Sequence, residues 1–418
     1  MHVASSLGLL ALPRQVLFHH ERDEHFLPGN AVLPEHGGLL ITRRLQEWAC
    51  LLGGDFSFAT AQRLLGWKAG EVKLLCPKEV QRLVCRHGQI LLVAAEQEVQ
   101  ELLARPSLAG LSPQLAPRTP PRRPAAWSAV LAEAVAAALA QEQPTPPEGV
   151  TLADWERVLA VRRAEGATRD LRALAHLGPE VAAEQIVVSA DEVLVRRPQK
   201  KQFDELRTGQ VATRAGQRTL CGQGTFFLQQ LWLLILLCGG RTAWVTFLSD
   251  GGRWLREFAR EQLSRLPRCE VILDWYHRVK KVKDRISRMG GSRAEKKELQ
   301  RTLIRELWNG KVAAALLALE AYRSTAKNVE ALEELAGYLR EREEALPNYR
   351  QRRAQQQYIG SGQAEKTNDL LVARRQKNRG MHWNINTSEA LAWLKGLQLN
   401  HEWDAYWSEG RVPSLVAG

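Results

Sequence analysis

The hydrophobic positions in the first hundred residues recur at helical spacing. Leu40, Leu45, Trp48, Leu51 and Leu52 fall near one stripe that Gly53-Gly54 is expected to end. Ser57 has the character of an N-cap for a helix Phe58–Leu65 that ends at Gly66. A further helix is predicted from Pro77 to His87 and ends at Gly88. Residues 1–37 show no such periodicity and are expected to be irregular.

The helices of this N-terminal region, residues 1–110, fit a helix-turn-helix, a DNA-binding motif. In that interpretation the cations Lys78, Arg82 and Arg86 line the second helix. The alternative is a plain helical bundle whose surface is basic. The pattern alone favours neither.

Two proline-rich stretches separate this region from the rest of the chain. Five prolines interleaved with arginines between Pro113 and Pro124, and Pro144 to Pro147, bracket an alanine-rich helix from about Trp127 to Gln141. Residues 111–150 are therefore predicted to be a linker with one helix.

A mixed α/β pattern begins after residue 150. After a helix at about Leu152–Glu165, apolar and β-branched runs predict strands at 185–190, Phe203–Arg207, Gly209–Arg214, Thr242–Leu248 and Glu270–Leu273, with helices at Thr225–Cys238 and Trp254–Leu266. Three strands followed by alternating helices and strands match the ribonuclease-H-like fold. We therefore expect residues 151–279 to form the first part of a domain with this fold.

Residues 280–357 carry almost no strand signal and are expected to be an all-helical insertion, broken at Gly290-Gly291, Asn309-Gly310 and Pro347. Residues 358–418 would complete the catalytic domain and add a basic C-terminal segment.

The charge balance points to a polyanionic partner. The 418 residues carry a net charge of +12, which favours nucleic acid first and an anionic membrane second. The longest apolar run, Phe226–Cys238, is too short to span a bilayer. Six scattered cysteines without a CxxC pair, and the absence of a signal-peptide pattern, indicate a reducing compartment, and we expect a cytoplasmic protein.

Three acidic residues stand where an α/β sheet presents side chains to a ligand. Asp191 and Asp250 each close an apolar run, and Glu365 opens a predicted helix. Carboxylates brought together repel unless a cation lies between them, and such oxygen ligands suit Mg²⁺, or Mn²⁺ in its place. Two metals held this way can clamp the attacking and leaving oxygens of a phosphodiester. Glu192 is a rival to Asp191, because neighbours in a strand point to opposite faces.

Several motifs together resemble the bacterial insertion-sequence DDE transposases of the Kra type, and more distantly the Mutator-like transposases. They are Ser249-Asp250-Gly251-Gly252-Arg253-Trp254, Leu273-Asp274-Trp275-Tyr276-His277, Tyr358 to Glu365 with its Gly-Ser-Gly, Arg374-Arg375, and Gly380-Met381-His382-Trp383. The resemblance covers roughly residues 185–395. It assigns the catalytic acids to Asp191, Asp250 and Glu365, and a D-x-x-H element to Asp274–His277.

The resemblance implies that the protein cleaves and joins the ends of a mobile DNA element with Mg²⁺, binds terminal inverted repeats and target DNA, and acts as a homodimer or larger assembly. Such proteins usually carry Asp-Gly at the first acid, whereas Glu192 follows Asp191 here. His277 is expected either to orient the scissile phosphate or to pin the strand end at Asp274. A DNA-binding regulator without catalysis and a nuclease without strand transfer remain alternatives.

Basic residues flank the motifs and are expected to contact DNA phosphates, so that binding weakens with salt. They are Arg278, Lys280, Lys281 and Lys283 after the D-x-x-H element, and Arg374, Arg375, Lys377 and Arg379 near the C-terminus. Trp383, together with Trp254, Trp275 and Trp308, could stack on unpaired bases, or could belong to the core.

Overall fold

The computed structural model describes residues 2–11, 41–71, 74–105, 185–199, 202–377 and 381–415, with short strand segments of backbone between residues 17 and 40. The predicted linker helix, the predicted helix Leu152–Glu165 and Arg379 lie outside the described residues.

Short strands form in the N-terminal segment that the sequence pattern left irregular. β1 (His2–Ser5) makes a hairpin with β2 (Gly8–Ala11), and β6 (Leu39–Ile41) pairs with β1 in parallel and with β5 (Glu35–His36) antiparallel. β3 (Leu17–His19) pairs with β4 (Glu24–Phe26).

Three helices follow, and Gly88, which was predicted to end a helix, lies inside the third of them. They are α1 (Arg43–Asp55), α2 (Phe58–Ala69) and α3 (Pro77–Leu103). The predicted cap Ser57 and the first-turn Pro77 are confirmed. The prediction that Gly88 ends a helix is wrong, since α3 continues through it. A Cβ at Gly88 would lie 2.4 Å from the Ala390 carbonyl oxygen, so this glycine permits close packing between helices.

The main sheet has five strands of mixed direction. In chain order they are β7 (Gln185–Arg196), β8 (Phe203–Ala212), β9 (Gln217–Gly222), β10 (Trp244–Ser249) and β11 (Cys269–Leu273). The spatial order is β11-β10-β7-β8-β9, with β7, β10 and β11 parallel and β7-β8-β9 antiparallel. The two short strands predicted between 203 and 214 are one strand, and β9 was not predicted.

Helices cover the sheet. α4 (Gly224–Leu237) is the predicted apolar helix, and Phe227 and Trp232 are fully buried in the core beneath it. α5 (Arg253–Glu261) ends earlier than predicted and gives way to a 3-10 turn at Leu263–Arg265. None of the helices in the described part of the chain is long and apolar enough to cross a membrane.

The segment predicted to be a helical insertion is described throughout and is helical. It comprises α6 (Trp275–Arg288), α7 (Arg293–Trp308), α8 (Val312–Ala321), α9 (Val329–Arg340) and α10 (Tyr349–Ala354). These helices bury their own apolar core, which includes Val282, Leu303 and Leu335, against the ends of β10 and β11. The predicted break at Gly290-Gly291 is confirmed, with φ of +81° and +86°.

The chain then returns to the sheet. α11 (Gly362–Asn368) packs on β7 and β8 and continues through a π-helical turn, Asp369–Ala373, to Gln376. α12 (Ile385–Leu399) packs on α3 and β9. One apolar core joins α1–α3, β7, β8 and α12, so the N-terminal helices are packed onto the sheet.

Candidate active site

The acidic residues from two neighbouring strands lie side by side. Leu248 on β10 is opposite Ser189 on β7, so the same parallel register two residues further on brings Asp250 level with Asp191. Asp191 does not end its strand, as the sequence had suggested. It lies in the middle of β7, which continues to Arg196 along the antiparallel partner β8.

Asp191 is the more buried of the two rival acids. Its Oδ2 accepts a hydrogen bond of 2.6 Å from Asn368 Nδ2, and its Oδ1 accepts one of 2.8 Å from the Glu192 amide. Burial, reinforced by the nearby Asp250 carboxylate, raises the pKa of Asp191 to about 6. Glu192 is exposed and turns away to accept a 2.8 Å hydrogen bond from Trp254 Nε1. Alternation along the strand therefore places Asp191, and not Glu192, beside Asp250.

The loop that carries Asp250 is held by its own polar groups. The Asp250 Oδ1 accepts from the Gly252 amide at 2.7 Å, and Ser249 Oγ accepts from the Gly251 amide at 3.0 Å. Gly251 has φ of +85°, and a Cβ there would lie 2.9 Å from the Leu273 side chain. The turn after β10 thus requires glycine at 251.

Asp274 is the structural joint of the site, in the sense that its hydrogen bonds connect three segments of the chain. Its carboxylate is 2% exposed, accepts from the His277 amide at 2.7 Å and from Ser361 Oγ at 2.8 Å, and also accepts from the Ser361 amide. Its own amide donates to the Ser249 carbonyl at 2.7 Å. Burial opposes ionisation of Asp274, but the His277 side chain and then the hydrogen bonds from the His277 amide and from Ser361 outweigh it and lower the pKa of Asp274 to about 2. Asp274 therefore links the end of β10, the start of α6 and the start of α11.

His277 lies between the acids. Its Nδ1 is 3.4 Å from Asp274 Oδ1 and 3.5 Å from Glu365 Oε1. The contact with Asp274 raises the pKa of His277, burial opposes this, and the charges of Glu365 and Asp250 reinforce it. Asp191 also interacts electrostatically with this imidazole. The protonated ring is thus favoured among several carboxylates.

Glu365 reaches the site because hydrogen bonds anchor the segment before α11 to β11 and α6. Arg352 makes two hydrogen bonds with Glu270 on β11, at 2.8 and 3.0 Å, and its Nε donates to the Tyr358 carbonyl at 3.0 Å. The Trp275 amide donates to the Ile359 carbonyl at 3.0 Å. The Glu365 side chain, 57% exposed, is open to solvent and to a ligand.

The donor set of these acids suits a hard divalent cation, because it offers carboxylate oxygens and no thiolate. Burial first, and then the Asp250 carboxylate, raises the pKa of Asp191, and a bound cation would favour its ionised form. Within the described residues, no three His, Cys, Asp or Glu side chains already stand in a metal-ligating arrangement. Asp191 and Asp250 are neighbours across the two strands, whereas Glu365 is linked to these two acids through its contact with His277.

A basic groove of about 320 Å³ adjoins the acids. Asp250 and His277 form one end of it, and α6 supplies the rest: Lys280, Lys281, Asp284, Arg285 and Arg288. Lys281 Nζ lies 4.4 Å from the centre of the Tyr338 ring, and Arg285 is paired with Glu334. Four cations against two acids give this groove a positive potential suited to phosphate.

Three residues expected to contact DNA are buried. Arg278 is 1% exposed and faces the Tyr349 ring, because the first turn of α6 directs it into the insertion core. Arg375 donates to the Gly53 carbonyl at 3.1 Å and lies over the Trp383 ring, whose indole in turn donates to the Gln376 carbonyl. These three side chains hold helices together and are not available to DNA in this structure.

The other predicted DNA contacts differ in accessibility. Lys280, Lys281 and Lys283 on α6 are exposed, as are Lys377 and Arg374, the latter 3.1 Å from Asp369. At the N-terminus, Lys78 and Arg82 are exposed on α3 and Arg86 is half-buried.

Three residues that matter here were not assigned a role from the sequence. They are Asn368, Asp274 as a joint, and Arg352. Asn368 holds Asp191 and accepts a hydrogen bond from Thr208, and it lies three residues after Glu365, on the same face of the helix. That spacing was a usable signal. No local pattern indicated Arg352, whose partners are Glu270, 82 residues away, and the nearby Tyr358 carbonyl.

Neither a protein-family model nor a curated protein matches this chain.

Proposed function

We propose that the protein is a metal-dependent DNA strand-cleaving and strand-joining enzyme, a DDE transposase similar to the Kra type. The observation that carries the proposal is the meeting of Asp191 from β7, Asp250 from the β10 turn and Glu365 from α11 around His277. The three acids come together although their segments lie far apart in the sequence. Surface carboxylates without a common role have no reason to be brought together in this way.

The sheet supports a ribonuclease-H-like domain. Its first three strands form an antiparallel meander, and the next two add in parallel beyond the first strand. The first acid lies on the central strand β7, the second lies in the turn directly after the adjacent strand β10, and the third lies on a helix packed against that sheet. The long helical segment between β11 and α11 interrupts the domain, in keeping with the transposase assignment.

In this proposal Asp191, Asp250 and Glu365 would hold Mg²⁺, which when bound would supply Lewis-acid activation at the attacking oxygen and charge neutralisation at the leaving oxygen. The chain's own groups do the rest. Asp274 and Asn368 orient His277 and Asp191, and the cations of α6 draw in the phosphate backbone. The contact with Asp274 raises the pKa of His277, which favours the imidazolium that would donate to a phosphate oxygen.

The test uses a plasmid carrying the DNA that flanks the protein's own gene, incubated with Mg²⁺ or Mn²⁺. We expect nicked and joined products from the unmutated protein, and loss of at least about 100-fold of the rate in Asp250→Asn and Glu365→Gln, with DNA binding retained. Glu192→Gln is the matched control, because it removes a neighbouring exposed carboxylate outside the cluster.

The outcomes separate the alternatives. Activity retained in both acid variants would refute the proposal. Binding without cleavage by the unmutated protein would favour a DNA-binding regulator. Cleavage without joined products would favour a nuclease that lacks strand transfer.

A further inference from the structure

A second groove lies on the helical segment, separate from the acidic site. It is an open depression of about 590 Å³ between α6, α7 and α10. None of the residues that line it also lines the groove beside Asp250. Lys283 belongs to this second groove because it projects from a different face of α6 than His277 and Lys281 do.

The floor of the groove is aromatic. Trp308 is half-buried. Its ring stacks on that of Tyr349, with 6.2 Å between the ring centroids and an angle of 15° between the ring planes. The centroids of the Trp308 and Trp275 rings are 4.8 Å apart. Trp275 is 8% exposed and its ring is tilted by 60° against that of Trp308. A rigid indole held by two other rings and open at a groove is suited to stack on a flat ligand.

The rim of the groove is cationic. Its exposed positive side chains are Lys283, Lys297, Arg301, Arg305 and Arg353. Along α7, residues 297, 301 and 305 are one turn apart, about 6 Å of helix rise between each. Arg301 pairs with Glu298 at the surface, at 3.1 Å, and Arg305 pairs at 2.9 Å with Glu306, which is half-buried. The exposed pair of Arg301 and Glu298 contributes little and gives way readily to a phosphate.

We infer that this groove binds single-stranded nucleic acid, with a base stacked on Trp308 and the backbone phosphates along the α7 cations. An aromatic platform combined with a row of positive charges is the arrangement that unpaired strands require, because duplex bases have no free face to offer. An acidic peptide would use the cations and leave the indole unused. The inference does not depend on catalysis at Asp191 and Asp250.

The test is fluorescence polarisation with a labelled oligothymidine in EDTA, which keeps the acidic site inactive. We expect Trp308→Leu to weaken binding about 5- to 100-fold with little change in the salt dependence. We expect Lys297→Glu combined with Arg305→Glu to weaken binding at least about 10-fold and to flatten the salt dependence. The matched control is Lys311→Glu with Arg340→Glu, which makes the same charge change on the same helical segment outside the groove.

Circular dichroism checks that each variant is folded, and the charge-reversed pair keeps the test informative if Trp308→Leu unfolds. The inference is overturned if the groove pair binds as tightly as the unmutated protein, or if the control pair loses as much affinity as the groove pair. It is also overturned if polyglutamate competes as well as oligothymidine while a folded Trp308→Leu protein retains full affinity.

Discussion

Asp191→Asn tests the electrostatics of the acidic cluster without requiring any substrate. The pKa of Asp191 is raised from 3.8 to about 6, chiefly by burial and then by Asp250. At about 1.4 kcal/mol per pH unit, the ionised carboxylate costs the folded state up to about 3 kcal/mol, or about 1–3 kcal/mol after allowing for its partial solvent exposure.

The sign of the pH dependence follows from the raised pKa. Below the unfolded pKa near 3.8 the carboxyl is protonated in both states and imposes no cost. As pH rises through about 6 the cost appears in full. The free energy of unfolding of the variant, relative to that of the unmutated protein, should therefore rise by about 1–3 kcal/mol between about pH 4 and pH 7.5. If the substitution loses the hydrogen bond to Asn368, this loss lowers the free energy of unfolding at both pH values and therefore cancels in the comparison between them.

The assay is urea unfolding in EDTA at several pH values, with Glu192→Gln as the control that removes an exposed neighbouring carboxylate. A stability difference between variant and unmutated protein that is constant with pH, or that falls as pH rises, would refute the reasoning. Added Mg²⁺ at pH 7.5 should then stabilise the unmutated protein through binding to the folded state, and should stabilise Asp191→Asn far less.

Two further predictions concern packing and the joint at Asp274. Gly88→Ala should lower the free energy of unfolding in urea by about 1–3 kcal/mol, because its Cβ would meet the Ala390 backbone. Gly54→Ala, with nothing within 4 Å of its Cβ, should be neutral or stabilising by up to about 1 kcal/mol. Equal effects would contradict the packing role of Gly88. Asp274→Asn should lower the pKa of His277 towards its ordinary value, since the Asp274 contact is the main cause of the increase, and NMR titration of the imidazole measures this. An unchanged pKa of His277 would show that Asp274 does not hold the ring.

Local patterns in the sequence determined the order of the elements. Long apolar or β-branched runs identified β7, β10, β11 and α4, because burial of a whole strand or helix leaves a continuous signal. β9 (Gln217–Gly222) was missed because four of its six residues are polar or glycine, and it is recognisable only by its pairing with β8.

The tertiary structure decided which polar residues are available for function. Four basic residues between 278 and 283 look alike in the sequence, but the pitch of α6 buries Arg278, directs Lys280 and Lys281 to the acidic site and turns Lys283 to another groove. Glu365 becomes a neighbour of His277 through Asp274, Asn368 and Arg352, whose partners lie far away in sequence. The sequence by itself determined which acids and cations are present, because periodicity and composition are local properties. Their meeting depended on strand register, helix phase and long-range hydrogen bonds, which only the folded chain defines.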